Sequence, residues 1–375
     1  MNMQTSISQH FAILTDNRAE NHIRHNLTDI LTIVLCGVIC GAEGFNDIEL
    51  FAKCKQDFFE SFLDLPNGIP SHDTMNRVMS ALDPKQFSEC FANWARSLSE
   101  RLKGVIAIDG KTSRRSFKNT EHRDCLHMVS AWSSDNGIVL AQTATEAKSN
   151  EITAIPTLLD MLDIKNCTIT IDAMGCQKAI ADKIVSMKGN YLLALKGNQG
   201  GTLEMAEHLF KCEEKTDYAG VTHTSYATIE KSHGRIEKRN VAAIENNEKI
   251  DIAEFDKWKG LKSIIMVEST RESGTQSSVE RRYYISSLPA DAAEIGRSVR
   301  SHWGIENSLH WVLDVIFNED AMRNRQKNSA ANMAIIRHCA INLLKQDKSG
   351  KTSLRGKRLK AGWDNDYMIK LISEC

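Results

Sequence analysis

Two aspartates in this 375-residue chain close short apolar runs: Asp109 within VIAIDGK (105–111) and Asp172 within CTITIDAM (167–174). In a buried strand an ionised carboxylate is costly unless a cation or hydrogen bonds compensate it. Strand ends in open α/β sheets are also where sites are built. Taken singly, each aspartate reads as well as a cap on its own turn; two of them in strands that pair predict a shared site. Hard cations such as Mg²⁺ take oxygen ligands, and a few carboxylates with substrate phosphate oxygens suffice. A third carboxylate is available in HWGIENSLHWVLD (302–314). Polar and aromatic positions recur there at helical spacing, so His302, Glu306 and His310 are expected along one helix face, with Trp303 and Trp311 beside them. Glu306 is the best third ligand. Asp314 is its rival, but eight residues of helix is about 12 Å, so both cannot serve one ion. The plain alternative for Glu306 is a helix salt bridge, and Asp314, Glu319 and Asp320 are expected to pair with bases such as Arg323.

Those side chains need a scaffold that brings strand ends together. VIAIDGK, CLHMVSAW (125–132) and IVLAQTATEA (138–147) read as strands, the last two joined through Asn136-Gly137, a strong hairpin signal. Helix ITAIPTLLDML (152–162), strand CTITIDAM, helix QKAIADKIVSM (177–187) and strand NYLLALKG (190–197) follow. Three antiparallel strands followed by crossover units predict a mixed sheet with helices on its faces. That order is the core of the ribonuclease H-like α/β fold. Ahead of it, residues 9–100 read as helical, with Ser71 a plausible N-cap for HDTMNRVMSAL. Two short helices around a tight connection there allow a helix-turn-helix, although most helical hairpins do not read DNA. The expected division is a helical domain (1–102), a first core segment (103–199), a β-rich insertion (200–285), a completing helical segment (286–345) and a basic C-terminal tail (346–375).

The apolar fraction of 42% and charged fraction of 25% exclude wholesale disorder. The longest apolar run, Ile30 to Ala42, is shorter than the roughly 20 residues of a membrane span, and MNMQTSISQH lacks the features of a signal peptide. A cytosolic, nucleoid-associated chain with no membrane partner is therefore expected, its ten cysteines being reduced and mainly structural. The formal net charge is −1, but its distribution is uneven. KSGKTSLRGKRLK (348–360) holds six cations and no anion. It reads either as a solvated tail or as a strip that neutralises phosphates through Lys351, Arg355, Lys357 and Arg358.

The strings IAIDGK, TIDAMGCQKAIADKI, YLLALKGNQ, SHGRIEKR and HWGIENSLHWVLDVIFNED, in this order, resemble those of insertion-sequence DDE transposases of the H-repeat-associated, Rhs-linked type. The resemblance runs from the N-terminal helical segment to about Lys345. It implies a ribonuclease H-like core split by a β-rich insertion, an N-terminal transposase-associated domain, and an Asp-Asp-Glu triad binding Mg²⁺, as two ions for which Mn²⁺ substitutes. By motif the triad carries over to Asp109, Asp172 and Glu306, separated by 63 and 134 residues. The Tyr, Arg and Lys that many relatives in the wider class place around the Glu are Val299, His302 and Leu313 here, so His302 and His310 are left to supply phosphate contacts.

Two cations held by such carboxylates would flank a scissile phosphate and assist in-line displacement, first by water and later by a 3′-hydroxyl. The implied partners are double-stranded DNA with terminal inverted repeats and a target DNA, with at least a homodimer needed to join two ends. Lys111, Lys196, Asn198, His233, Arg235 and Arg239 are expected as DNA contacts, each with the alternative of an ordinary exposed polar residue. Two competing functions remain at this stage, a DNA-binding remnant without turnover and a metal nuclease of the same fold.

Overall fold

The chain forms two compact units: a helical unit of Met1–Arg101, Gly110–Asn150 and Glu306–Cys375, and a sheet unit of Leu102–Asp109 and Glu151–Ile305. The computed structural model describes residues 6–19, 23–98, 102–116, 125–145, 151–232, 235–273 and 276–373. In chain order the elements begin with α1 (Ser6–Phe11), α2 (Leu27–Cys40), α3 (Phe45–Cys54), α4 (Gln56–Glu60), α5 (His72–Ala81) and α6 (Pro84–Ser97). Then come β1 (Val105–Ser113), β2 (Leu126–Ser133), β3 (Ile138–Ala144), α7 (Glu151–Asp160), β4 (Thr168–Ile171), α8 (Lys178–Ser186) and β5 (Asn190–Leu195). Next are α9 (Gly200–Glu213), β6 (His223–Ser232), β7 (Arg235–Glu245), α10 (Ala253–Asp256), β8 (Ser263–Ser273) and β9 (Gln276–Ser286). The chain closes with α11 (Ala292–Ile305), a π-helical segment (Glu306–His310), α12 (Trp311–Val315), α13 (Ser329–Gln346), α14 (Leu354–Trp363) and α15 (Asn365–Ser373).

Local sequence explains most of the helical unit. Helix α2 is apolar on all sides and buried from Asp29 to Ile39, and it stops where Gly41, at φ +107°, donates to the Val38 carbonyl. Helix α5 starts at Ser71, whose Oγ accepts from the Thr74 N–H at 3.3 Å. Helix α6 starts on Asp83 with Pro84 at its first position, and buries Phe87, Cys90, Phe91, Trp94 and Ala95 along one face. Strands β2 and β3 pair antiparallel and turn at Gly137, whose φ of +66° suits glycine. Helix α13, buried nearly throughout, packs against α2, α5, α6 and β3. Its polar side chains finish its neighbours' hydrogen bonds. Asn342 accepts from Val139 N at 2.9 Å and donates to Val139 O at 2.8 Å, covering the backbone of edge strand β3 as another strand would.

The described part of the basic tail, residues 346–373, is not a solvated strip. Helices α14 and α15 pack on each other and on α13, and α14 also packs on α2. Arg358 donates to the carbonyls of Val38 and Ile39 at 3.0 Å each and to that of Ile316, and lies over the Phe317 ring. Lys357 is buried, giving its ammonium to the carbonyls of Leu344 and Asp347. Periodicity missed this because cations in a helix of ten residues look solvated until their carbonyl partners arrive from elsewhere in the chain.

In the sheet unit the strand order is β1-β4-β5-β9-β8-β7-β6. Strands β1, β4 and β5 are parallel, and β9 joins β5 antiparallel through pairs such as Leu193↔Ile285. The stretch 200–285, expected as a β-rich insertion, opens instead with helix α9, and its four strands extend the sheet that already holds β4 and β5. Helix α9 escaped notice because Gly200-Gly201 is a poor helix start, although Thr202, Ala206, Leu209 and Phe210 bury one face at helical period.

Candidate active site

The last in-register pair of β1 and β4 is Ile108↔Ile171, and the next residue on each strand is Asp109 and Asp172. Adjacent parallel strands lie about 4.8 Å apart. Asp172 therefore stands just past the end of β4 and Asp109 beside it where the β1–β4 ladder stops, although β1 itself runs on to Ser113, so Asp109 lies within its strand rather than at the strand end the sequence suggests; both are half-buried. One oxygen of Asp172 does cap its turn: Oδ1 accepts from Met174 N at 3.0 Å and Gly175 N at 3.3 Å. That fixes the carboxylate and leaves Oδ2 for another ligand. The turn itself requires Gly175, since a Cβ there would sit 2.3 Å from Ile171 Cγ2 and 2.7 Å from Ile155 Cδ1.

The loop after β5 braces the loop after β4. Asn198 donates through Nδ2 to the Ala173 carbonyl at 2.6 Å, and Gln199 donates through Nε2 to the Cys176 carbonyl at 2.9 Å. Asn198, expected as a DNA contact, thus has its amide committed to the turn that carries Asp172. On α11, His302 Nδ1 lies 3.0 Å from Thr170 Oγ1. Burial holds the His302 pKa below its ordinary value, against the pull of Asp172 in the other direction. The neighbouring Trp303 ring is covered by the Arg282 guanidinium, 4.9 Å from its centroid.

Glu306 is exposed and opens the π-helical segment, where the chain enters the helical unit. A π-turn adds a residue to the helical repeat, so positions beyond it rotate by about 100° relative to those before. The regular spacing that predicts one face for His302, Glu306 and His310 is thus interrupted at Glu306–His310. π-Bulges recur at functional sites. Asp314, Glu319 and Asp320 pair not with Arg323 but with Lys111, whose Nζ lies 2.7 Å, 2.9 Å and 3.5 Å from them. Burial pushes the Glu319 carboxyl up, but Arg337 and Lys111 together hold it below its ordinary value. Lys111, only 10% exposed, is not placed as a surface DNA contact.

Of the other expected DNA contacts, Lys196, Arg235, Lys351 and Arg355 are exposed. Arg239 is bridged to Glu237 at 2.6 Å and Glu230 at 3.4 Å. Lys357 and Arg358 are structural, and His233 lies outside the described residues. The two aspartates offer hard oxygen donors that fit a divalent cation. Among the described residues, no three His, Cys, Asp or Glu side chains form a group that could hold a metal.

The family model for the transposase DDE domain matches residues 100–343, and that for the DDE_Tnp_1-associated region matches residues 8–95. The chain belongs to the DDE transposase family. The "H repeat-associated putative transposase YhhI" of Escherichia coli (strain K12) is 44% identical over 373 residues, 98% of this chain and 97% of that one. The "Putative transposase YncI" of Escherichia coli O157:H7 is 43% identical over 375 residues, covering 99% and 95% of the two chains. The piggyBac transposase synaptic complex with hairpin DNA aligns loosely with this transposase, at TM-score 0.47 and 11% identity over 99% of the chain and 77% of its own. The transposase is thus an enzyme of the DDE type acting in DNA transposition, and neither the remnant nor the nuclease alternative is favoured. Sequence reasoning missed three of its polar residues, Thr170 at the candidate site and Arg337 and His338 in the helical unit. Thr170 breaks the apolar run of β4 with a hydroxyl, and Arg337 and His338 interrupt the apolar run of α13. Each was a visible signal.

Proposed function

We propose that Asp109, Asp172 and Glu306 hold divalent cations, Mg²⁺ or Mn²⁺, for cleavage of transposon ends and their joining to target DNA. The observation that carries this is the register of β1 and β4, which makes Asp109 and Asp172 neighbours at the end of their shared ladder. We read the order β1-β4-β5, together with the hairpin β2–β3 that follows β1 in the chain, as a ribonuclease H-like core. Glu306 is the third ligand by its motif and by its exposed position at an irregular helix turn. When bound, the cations supply charge for the attacking and leaving oxygens of in-line displacement at a phosphodiester.

The chain's own residues do the rest. Met174 and Gly175 N–H groups orient Asp172, and the Asn198 and Gln199 amides hold that turn in place. Thr170 Oγ1, 3.0 Å from His302 Nδ1, fixes that ring on α11. Exposed Lys196, Arg235, Lys351 and Arg355 contact DNA phosphates in a salt-dependent, sequence-independent way. Hydrolysis and strand transfer then use one site, since only the nucleophile differs, and joining two inverted-repeat ends takes at least a dimer. A supercoiled plasmid carrying the inverted repeats tests this. Wild type nicks at the ends, whereas Asp109→Asn, Asp172→Asn and Glu306→Gln bind the ends but do not nick. Equal nicking by all four proteins overturns the assignment.

A further inference from the structure

We infer that Lys111 is a positioning residue for Glu306, an inference that rests on the proposed triad. Lys111 stands two residues after Asp109. Its ammonium has three N–H donors, and three carboxylates surround it: Asp314 Oδ1 at 2.7 Å, Glu319 Oε2 at 2.9 Å and Asp320 Oδ1 at 3.5 Å. No donor remains for a phosphate. Two more cations complete a neutral cluster. Arg337 Nη1 meets Glu319 Oε1 at 3.3 Å, both side chains 4% exposed, and Arg114 Nε meets Asp320 Oδ2 at 3.3 Å. The Arg114 N–H also donates to Asp320 Oδ1 at 3.2 Å.

All six residues belong to the helical unit, and the cluster joins two of its segments with a particular place in the chain. One is the outgoing half of β1, continuous with Asp109. The other runs from α12 through Ala321, beginning directly after the π-helical segment that Glu306 opens. A π-turn is a rare geometry, and Asp314, on the first regular helix after it, is held by Lys111 at 2.7 Å. A buried charge cluster tolerates burial when each member is paired, and loss of one partner is felt by the rest. Lys111 thereby ties the segment after the Glu306 turn to the outgoing half of β1, within the helical unit. Groups that orient metal ligands typically alter metal affinity 10–100-fold when mutated.

The test compares Lys111→Met, Lys111→Arg and Asp314→Asn with wild type in the full chain. Three quantities are measured: Mn²⁺ affinity by calorimetry without DNA, the Mn²⁺ half-saturation of end nicking, and the salt dependence of DNA binding. Lys111→Met is expected to weaken Mn²⁺ binding and raise the half-saturation about tenfold, while the salt slope stays as in wild type. Lys111→Arg recovers most of the loss, and Asp314→Asn shows a smaller shift in the same direction. Asp314 is 38% exposed, so Asp314→Asn carries the test should Lys111→Met fail to fold. A lower melting temperature with wild-type Mn²⁺ affinity overturns the inference in favour of plain structural support. A salt slope reduced by about one with unchanged Mn²⁺ affinity overturns it in favour of a phosphate contact. Controls with Asp109→Asn and Glu306→Gln separate the two levels. If they too bind Mn²⁺ like wild type, the triad itself fails and this inference with it. If they lose binding while Lys111→Met keeps it, only the role of Lys111 fails.

Discussion

Arg358 and Arg355 stand three residues apart on one helix and are expected to do different things. Arg358 donates to the carbonyls of Val38, Ile39 and Ile316 and covers the Phe317 ring at 4.2 Å. Hydrogen bonds to a charged group contribute about 1.5–3 kcal/mol each, and a cation at a helix C-terminus adds about 0.3–1 kcal/mol. These contributions overlap, and methionine would keep the apolar contact with Phe317. Arg358→Met should therefore destabilise the helical unit by about 3–5 kcal/mol, lowering its melting temperature by roughly 10 °C. Arg355 is exposed, so Arg355→Ala should change stability by less than about 0.5 kcal/mol. Its loss instead reduces the slope of log affinity for DNA against log salt by about 0.9. Thermal melts and DNA titrations from low to moderate salt, run on both variants, read the two effects separately. Wild-type melting of Arg358→Met together with a reduced salt slope would refute the structural role given to this cation.

Three further outcomes follow from the packing. Asn342→Ala leaves the Val139 N–H and carbonyl at the β3 edge without their side-chain partner. It is expected to cost about 2–4 kcal/mol and to speed amide exchange at Val139, and unchanged exchange there would contradict the edge-covering role. Gly175→Ala forces a methyl into the space of Ile171 and Ile155. A loss of about 1–3 kcal/mol and of end nicking is expected, since the same turn orients Asp172; full nicking would argue that the turn is not needed. His338 is buried and its pKa is pushed down to about 3 from 6.5, so the folded chain resists a proton that the unfolded chain accepts. Stability is then complete above pH 6.5 and declines as pH falls toward 3, by about 2 kcal/mol at pH 5. The variant His338→Gln should flatten that part of a pH–stability curve, and an identical curve would show that His338 is not its source.

Local signals were legible, and long-range partners were not. Ser71, Asn136-Gly137 and the β-branched runs ending in Asp109 and Asp172 each act through neighbours a few residues away, so their structures follow from the adjacent sequence. The parallel pairing of β1 with β4 was also within reach, because a helix-containing crossover between two buried strands leaves few topologies. Helix α9 was hidden by its paired glycines and the π-helical turn by an assumption of regular period. Lys111, Lys357 and Arg358 read as surface cations because their carboxylate and carbonyl partners are 10 to 320 residues away in the chain. A cation's charge is visible in a sequence; its neutralising partner is not.

The central claim is that three carboxylates, from β1, β4 and the turn after α11, take up the same cations. Localised cleavage of the polypeptide by hydroxyl radicals generated at bound Fe²⁺ tests it most directly, because cuts occur only close to the ion. Cuts clustered at Asp109, Asp172 and Glu306, all suppressed by excess Mg²⁺ and all lost in Asp172→Asn, are the predicted result. Cuts at Asp109 and Asp172 with none between His302 and His310 would contradict the place of Glu306 in the site.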